Sequence, residues 1–219
     1  MSAKPVIAIL GGTGDLGSGL ARKWLAAGYP IVIGSRSADK AIAFAQQLGE
    51  GARGSDNAGA AKLGEIVVLA VPFASHEATL LDVRDAVQGK IVVDTAVPLV
   101  PPKVSTVQLP AEGSAALIAQ RLLGEGVRVV SAFHNVGAAK LHSGGRADCD
   151  VLVFGNDKEA RETVIGLAGE VATCGIDGGV LANSVAAEAL TSVLIGINRR
   201  YKVSGAGIRI TGLTTPVPQ

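Results

Sequence analysis

Val6-Ile7-Ala8-Ile9-Leu10-Gly11-Gly12-Thr13-Gly14-Asp15-Leu16-Gly17 is an apolar run that breaks into glycines and resumes at helical spacing. It reads as strand, phosphate loop and helix. Gly12, Gly14 and Gly17 stand in G-x-G-x-x-G spacing. In a dinucleotide site the first of these glycines permits a tight turn, the second lets a pyrophosphate approach the backbone, and the third lets helix and strand pack closely. The loop N–H groups and the positive end of the helix then face the anion. Glycine is common here, 29 of 219 residues, so the spacing alone is weak. Its setting strengthens it, because a strand precedes it and an amphipathic segment follows with Leu16, Leu20, Trp24 and Leu25 on one side.

Past Gly28, Ile31-Val32-Ile33 predicts a second strand that leads into Gly34-Ser35-Arg36. A site for NAD places a carboxylate about 20 residues past the glycines, on the ribose 2′-OH. Here that place holds Ser35 and Arg36, with Lys40 one helical turn later. A carboxylate repels a 2′-phosphate, whereas a hydroxyl and two cations attract one, so the pattern points to NADP. Ser37 also suits a helix N-cap, which would make Arg36 and Lys40 solvated residues of a helix start.

The bulk composition narrows the class. Hydrophobic residues make up 48% of the chain and charged residues 18%, with net charge +1. This is neither a disordered composition nor that of a nucleic-acid binder. Aromatics are only 3%, so the core is built from Val, Ile, Leu and Ala, which suits a parallel sheet covered by helices. Cys149 and Cys174 have no C-x-x-C spacing and read as reduced thiols. No signal peptide and no apolar run long enough for a bilayer is read from the sequence, so the expected location is the cytoplasm.

Helices are expected from Lys40 to Leu48, from Asp56 to Lys62 with Asp56 as cap, and from about Ser75 to Val87. Strands are expected at Ile66–Val71, stopped by Pro72-Phe73, and at Ile91–Asp94, which ends in the turn Thr95-Ala96-Val97-Pro98. In open α/β sheets the carboxyl ends of the strands face the ligand crevice, so Phe73 and Ala96 to Pro98 are candidate walls for a nicotinamide. Leu99–Pro110 reads as a loop or lid, Ser114–Leu123 as a helix, and Val127–Ser131 as a strand. Asp150–Gly155, Lys158–Glu170 and Val171–Ile176 add a strand, a helix and a last strand. The alternation is that of an α/β, Rossmann-like doubly wound, mostly parallel sheet.

From Leu181 to Ile197 the residues Val185, Ala189, Leu190, Val193, Leu194 and Ile197 predict a long, mostly buried helix, with Ser184, Glu188 and Thr191 as its polar stripe. Two segments are expected: 1–180 as a nucleotide-binding domain, with residues 132–149 leaning onto a second site, and 181–219 as a small C-terminal subdomain. The tail Thr214–Gln219 is read as unstructured.

His76, His134 and His142 lie far apart and form no metal-binding pattern, so no metal is expected. There is no G-x-S-x-G and no recognisable Cys/His pair. Hydride transfer between two bound cofactors needs neither. It needs two flat rings held roughly 3 to 3.5 Å apart at the reacting carbons.

At this point the chain resembles the NADPH-dependent F420 reductases, also called F420:NADP oxidoreductases, along nearly its whole length. The resemblance rests on Gly11-Gly12-Thr13-Gly14-Asp15-Leu16-Gly17, Gly34-Ser35-Arg36 with Lys40, Val71-Pro72, Val97-Pro98, Ser131-Ala132-Phe133-His134 with Ala138-Ala139, and Gly205-x-Gly207-Ile208. It implies NADP bound by Gly12, Thr13, Gly14, Asp15, Leu16, Ser35, Arg36 and Lys40, with Val71, Pro72, Phe73, Ala96, Val97 and Ala138 toward the nicotinamide. It also implies coenzyme F420 as second substrate, with Thr13 and His134 lining the place where the rings meet and no acid or base among them. Arg199, Arg200, Lys202 and Arg209 are candidates for the acidic tail of F420, or alternatively a solvated face. Ala189-Leu190-Thr191 stands where the family usually has Ser-Leu-Thr, and Asn135-Val136-Gly137 where Thr-Ile-Pro is usual. A homodimer is expected. Other readings are an NADPH-dependent reductase of a flavin, a ferric complex or a small imine or ketone, and a non-catalytic NADP sensor.

Overall fold

A computed structural model describes residues 3–213. The expected unstructured tail Thr214–Gln219 lies outside them. The chain runs β1 (Ile7–Leu10), α1 (Asp15–Ala26), β2 (Ile31–Ser35), α2 (Ala38–Leu48), β3 (Ala52–Asp56), α3 (Asn57–Leu63), β4 (Ile66–Leu69) and α4 (Phe73–Val83). It continues with β5 (Ile91–Asp94), α5 (Ala115–Leu123), β6 (Arg128–Ser131), α6 (Ala138–Leu141), β7 (Ala147–Gly155), α7 (Lys158–Val171), β8 (Ala172–Gly179) and α8 (Ser184–Tyr201). The strands form one sheet in the order β3-β2-β1-β4-β5-β6-β7-β8. β1 to β6 are parallel, and β7 pairs antiparallel with β6 and parallel with β8. This is the Rossmann-like, mostly parallel doubly wound sheet that the strand and helix alternation predicts.

The apolar runs make sense from the side-chain period of two. Every residue of β1 is buried. Ile7 and Ile9 pack with Leu20 and Trp24 of α1 and Val164 of α7, whereas Ala8 and Leu10 pack with Ala60 of α3, Leu80 of α4 and Ala119 of α5. Strand order reverses between β1 and β4, and the loops after these strands therefore open into a crevice.

Four features differ from expectation. β3 has the sequence ARGSD, without apolar alternation; it pairs only with β2, and a half-buried edge strand needs no apolar face. The helix expected from Ser75 starts at Phe73, with Pro72 as N-cap, and its last turn, Arg84–Val87, is a 3-10 turn. The strand expected from Asp150 begins at Ala147, and its partner β8 runs on to Gly179.

The fourth concerns α8, whose buried face is not the expected one. Ser184, Ala187, Glu188, Ser192 and Leu194 are buried, while Val185, Ala189, Leu190 and Ile197 are half-buried and Val193 is 45% exposed. The polar stripe turns inward because it finds hydrogen-bond partners there, which removes the penalty for burying it. Leu181–Tyr201 is a 21-residue stretch containing an 18-residue window of mean hydropathy 1.3, which by length and composition suffices to cross a bilayer, contrary to the expectation from sequence. One third of that window is buried within this fold, and its inward stripe is polar.

Candidate functional site

The loop after β1 is shaped by close backbone approach. Gly11 sits at φ +74°, and a Cβ on it would lie 2.5 Å from the Ala70 carbonyl oxygen. The tight turn expected at Gly12 takes its left-handed residue from Gly11, while a Cβ on Gly12 would lie 2.7 Å from Ile9 O. Gly12 is buried, its N–H donating to the carbonyls of Ile9 (3.1 Å) and Gly34 (3.0 Å). A Cβ on Gly17 would meet Gly11 O at 2.7 Å and Gly12 Cα at 2.9 Å, so this glycine does let α1 press against the loop. Gly14 is the N-cap of α1 and supplies no side-chain cap, which leaves the first-turn N–H groups facing the crevice.

A cavity of about 170 Å³ opens there. It brings together Gly11, Thr13 and Gly14 from the loop, Ser35 and Arg36 from the end of β2, and Ala70, Val71 and Pro72 from beyond β4. Among the described residues, Arg36 has no carboxylate within ion-pair distance, and it is exposed. Ser37 also caps α2, accepting from the Lys40 N–H at 3.5 Å, so the helix-start reading of this junction holds as well. Lys40 and Asp15 are exposed at the first turns of α2 and α1, outside the lining, and Leu16 packs against the core.

Sequence reasoning missed Asn57. Its side chain lines the same cavity, it is only 7% exposed, and its Oδ1 has no hydrogen-bond partner. A buried amide oxygen left unpaired is costly unless something occupies the cavity and pairs with it. A nucleotide, with ribose hydroxyls and an adenine amino group, offers such donors. The glycine loop, the free guanidinium and this amide thus fit NADP. Nothing in the local sequence marks Asn57, since its burial comes from packing at the start of α3.

Of the other predicted residues, Ala96, Val97 and His134 follow β5 and β6, whereas Phe73 opens α4. Ala96 is buried, its N–H donating to Asp94 Oδ1 at 2.9 Å, and Val97 follows it half-buried. Phe73 stacks on His76, with ring centroids 5.9 Å apart. His134 is buried, its Nε2 lies 3.2 Å from Ser131 Oγ, and burial pushes its pKa down to about 4, so the ring is neutral. Phe133 before it adopts φ 68°, an unusual backbone for a bulky residue, held by burial and edge-on packing against Trp24.

The loop carrying His134 is tied to the last helix. Thr191 Oγ1 donates to His134 O (3.0 Å), and Asn135 Nδ2 donates to Ala187 O (2.9 Å). Ala138 opens α6, where a Cβ on Gly137 would meet Gly205 Cα at 2.6 Å, so the closing glycines press onto this loop. Past them the chain straps along β7, with the Asp150 N–H donating to Ile208 O and the Ile210 N–H to Asp150 Oδ2. Arg209 bonds Asp148 at 2.5 Å, so its charge is compensated, whereas among the described residues the exposed Arg199, Arg200 and Lys202 have no carboxylate within ion-pair distance.

Glu188 anchors α8. Its carboxylate accepts from the N–H groups of Ala115 (2.6 Å) and Ala116 (3.2 Å), while Ser114 caps the Leu117 N–H, so the whole first turn of α5 is satisfied. Burial pushes the Glu188 pKa up to about 7 against the pull of the Ala115 N–H, with the charge of Asp94 adding to the rise. From the ordinary 4.5 to about 7 the unfolded chain has released a proton that the folded chain still holds. The contribution of Glu188 to stability therefore falls as pH rises through this window, by roughly a few kcal/mol. His134, pushed down to about 4, contributes the opposite slope in both proteins, so denaturant midpoints measured from pH 4.5 to 7 are expected to give a stability difference between wild type and Glu188→Gln that falls as pH rises. An unchanged slope in the variant would refute this assignment.

The chain is similar to known proteins along nearly its whole length. Residues 6–98 match the family model "NADP oxidoreductase coenzyme F420-dependent". The F420-dependent NADP reductase of Methanocaldococcus jannaschii is 42% identical over 94% of this chain and 98% of its own. That of Methanothermobacter marburgensis is 40% identical over 94% of this chain and 98% of its own. A provisionally assigned F420-dependent NADP-reductase structure from Arthrobacter sp. FB24 superposes with TM-score 0.79 at 28% identity, covering 94% of this chain and 99% of that one. The chain belongs to the F420-dependent NADP reductase family.

Proposed function

We propose that this chain is an oxidoreductase that passes a hydride directly between NADP(H) and coenzyme F420. The observation that carries the reading is identity of 42% along 94% of the chain to an F420-dependent NADP reductase, in a fold whose cavity fits NADP. When both are bound, NADPH supplies the hydride and the deazaflavin, with one proton from water, accepts it.

The residues divide the work. Gly12, Thr13, Gly14, Asp15 and Leu16 present loop and helix N–H groups to the pyrophosphate. Ser35, Arg36 and Lys40 take the 2′-phosphate. Val71, Pro72, Phe73, Ala96, Val97 and Ala138 wall the nicotinamide half. Thr13 and His134 position the rings; a buried, neutral His134 is suited to that role and unsuited to donating a proton. Most of the rate gain then comes from holding the rings together. Residues 1–180 act as the nucleotide-binding domain and 181–219 as a small subdomain that, with 132–149, covers the deazaflavin. The exposed Val193 and Tyr201 on the outer side of α8 support a homodimer, and we place the protein in the cytoplasm.

The test is NADPH oxidation with F420, a flavin, a ferric complex and a small imine or ketone in turn. Turnover with F420 well above the others is expected. Turnover of the imine or ketone with none of F420 would overturn the proposal.

A further inference from the structure

Directly behind the walls assigned to the nicotinamide lies a buried histidine–carboxylate hydrogen bond that hydride transfer itself does not require. His76 Nε2 and Asp94 Oδ2 are 2.6 Å apart, and both side chains are 1% exposed. The pair touches both walls. The His76 ring stacks against Phe73, and Asp94 Oδ1 accepts the Ala96 N–H. Asp94 O also accepts the Ala132 N–H at 3.1 Å, which fixes the start of the His134 loop. The side chains of the pair therefore link α4 to the turn after β5, and the Asp94 backbone joins that turn to the loop after β6.

We propose that His76 and Asp94 are positioning residues that fix the Phe73 ring and the Ala96–Val97 turn relative to each other, and so set the pose of the nicotinamide. This rests on the NADP reading of the cleft given above. The surroundings keep the pair together. Burial disfavours a charged His76, but its hydrogen bond to Asp94 and the charges of Asp94, Glu188 and Glu77 outweigh that and raise its pKa. A charge-assisted bond between fully buried groups has no water to replace it, so losing one partner strands the other. The adenosine end is anchored elsewhere, at Ser35 and Arg36. Loosening the pair therefore affects alignment for transfer more than affinity.

The experiment compares wild type with His76→Leu, which removes the donor, His76→Gln, which returns an N–H near the Nε2 position, and Asp94→Asn, which keeps an oxygen for the Ala96 N–H. His76→Leu is expected to lower kcat about 10- to 100-fold while KM for NADPH moves by less than about threefold. His76→Gln is expected to recover kcat to within about fivefold of wild type, and Asp94→Asn to fall between the two. If His76→Leu does not fold, Asp94→Asn carries the test with an expected kcat loss of about fivefold or more. The fluorescence anisotropy of bound NADPH reads ring immobilisation without any acceptor and is expected to drop in His76→Leu or, failing that, Asp94→Asn.

A variant of lower thermal stability whose kcat and bound-NADPH anisotropy match wild type would reduce the pair to a structural role and overturn the proposal. Equal impairment of His76→Leu and His76→Gln would overturn it as well. Wild type that binds NADPH but does not reduce F420 would instead count against the acceptor, with anisotropy still deciding the role of the pair.

Discussion

Replacing Arg36 with alanine is expected to weaken NADPH binding by about 10- to 100-fold and to leave NADH binding within about threefold of wild type. The expectation follows from the junction of β2 and α2. Ser35 ends the strand, Arg36 lines the cavity, and among the described residues no carboxylate compensates the guanidinium. Charge-assisted bonds to a phosphate are worth roughly 1.5 to 3 kcal/mol, and NADH has no such phosphate to lose them. Titrating both nucleotides against wild type and variant reads the difference. Equal losses for the two would mean that Arg36 acts on the shared part of the nucleotide or on folding.

Gly17→Ala is expected to lower stability by about 1 to 3 kcal/mol and to abolish measurable NADPH binding at concentrations that saturate wild type. The new methyl would lie 2.7 Å from Gly11 O and 2.9 Å from Gly12 Cα, which are backbone atoms with no rotamer to escape into. Either α1 moves away or the loop does, and in both cases the N–H groups lose their aim. Gly166→Ala is the matched control. Gly166 lies within α7 with nothing within 4 Å of its added Cβ, so this change is expected to stabilise the protein by roughly 0.5 to 1 kcal/mol. Thermal or denaturant unfolding with NADPH titration checks both, and tight NADPH binding by Gly17→Ala would contradict the loop geometry.

What could be read from the sequence was what depends on neighbours along the chain. The buried strands Ile7–Leu10, Ile66–Leu69 and Ile91–Asp94 carry continuous apolar runs, and Ser37, Asp56 and Ser114 cap helices by bonds to N–H groups three residues on. The glycine loop and the Ser35-Arg36 junction were visible because each of their functions is carried by adjacent residues. β3 was hidden because an edge strand draws its stability from backbone pairing, which its sequence does not display.

The inward face of α8 was misread for a related reason. Periodicity separates polar from apolar faces but does not say which one finds partners, and Glu188 finds the start of α5 at a distance of 73 residues in sequence. His76 and Asp94 are 18 residues apart and belong to no motif, so only the parallel pairing of the sheet brings them together. Asn57 shows the same limit, since its unpaired oxygen becomes informative only once the cavity around it is seen.

The central claim is direct passage of hydride within one cleft. It is tested most directly by supplying NADPH deuterated at one or the other face of the nicotinamide reacting carbon, together with F420, and weighing the reduced deazaflavin by mass spectrometry. With one of the two labelled forms, each molecule of product is expected to carry one deuterium even in ordinary water. Product that contains only solvent hydrogen from both forms, or NADPH consumed with no reduced deazaflavin, would contradict the account.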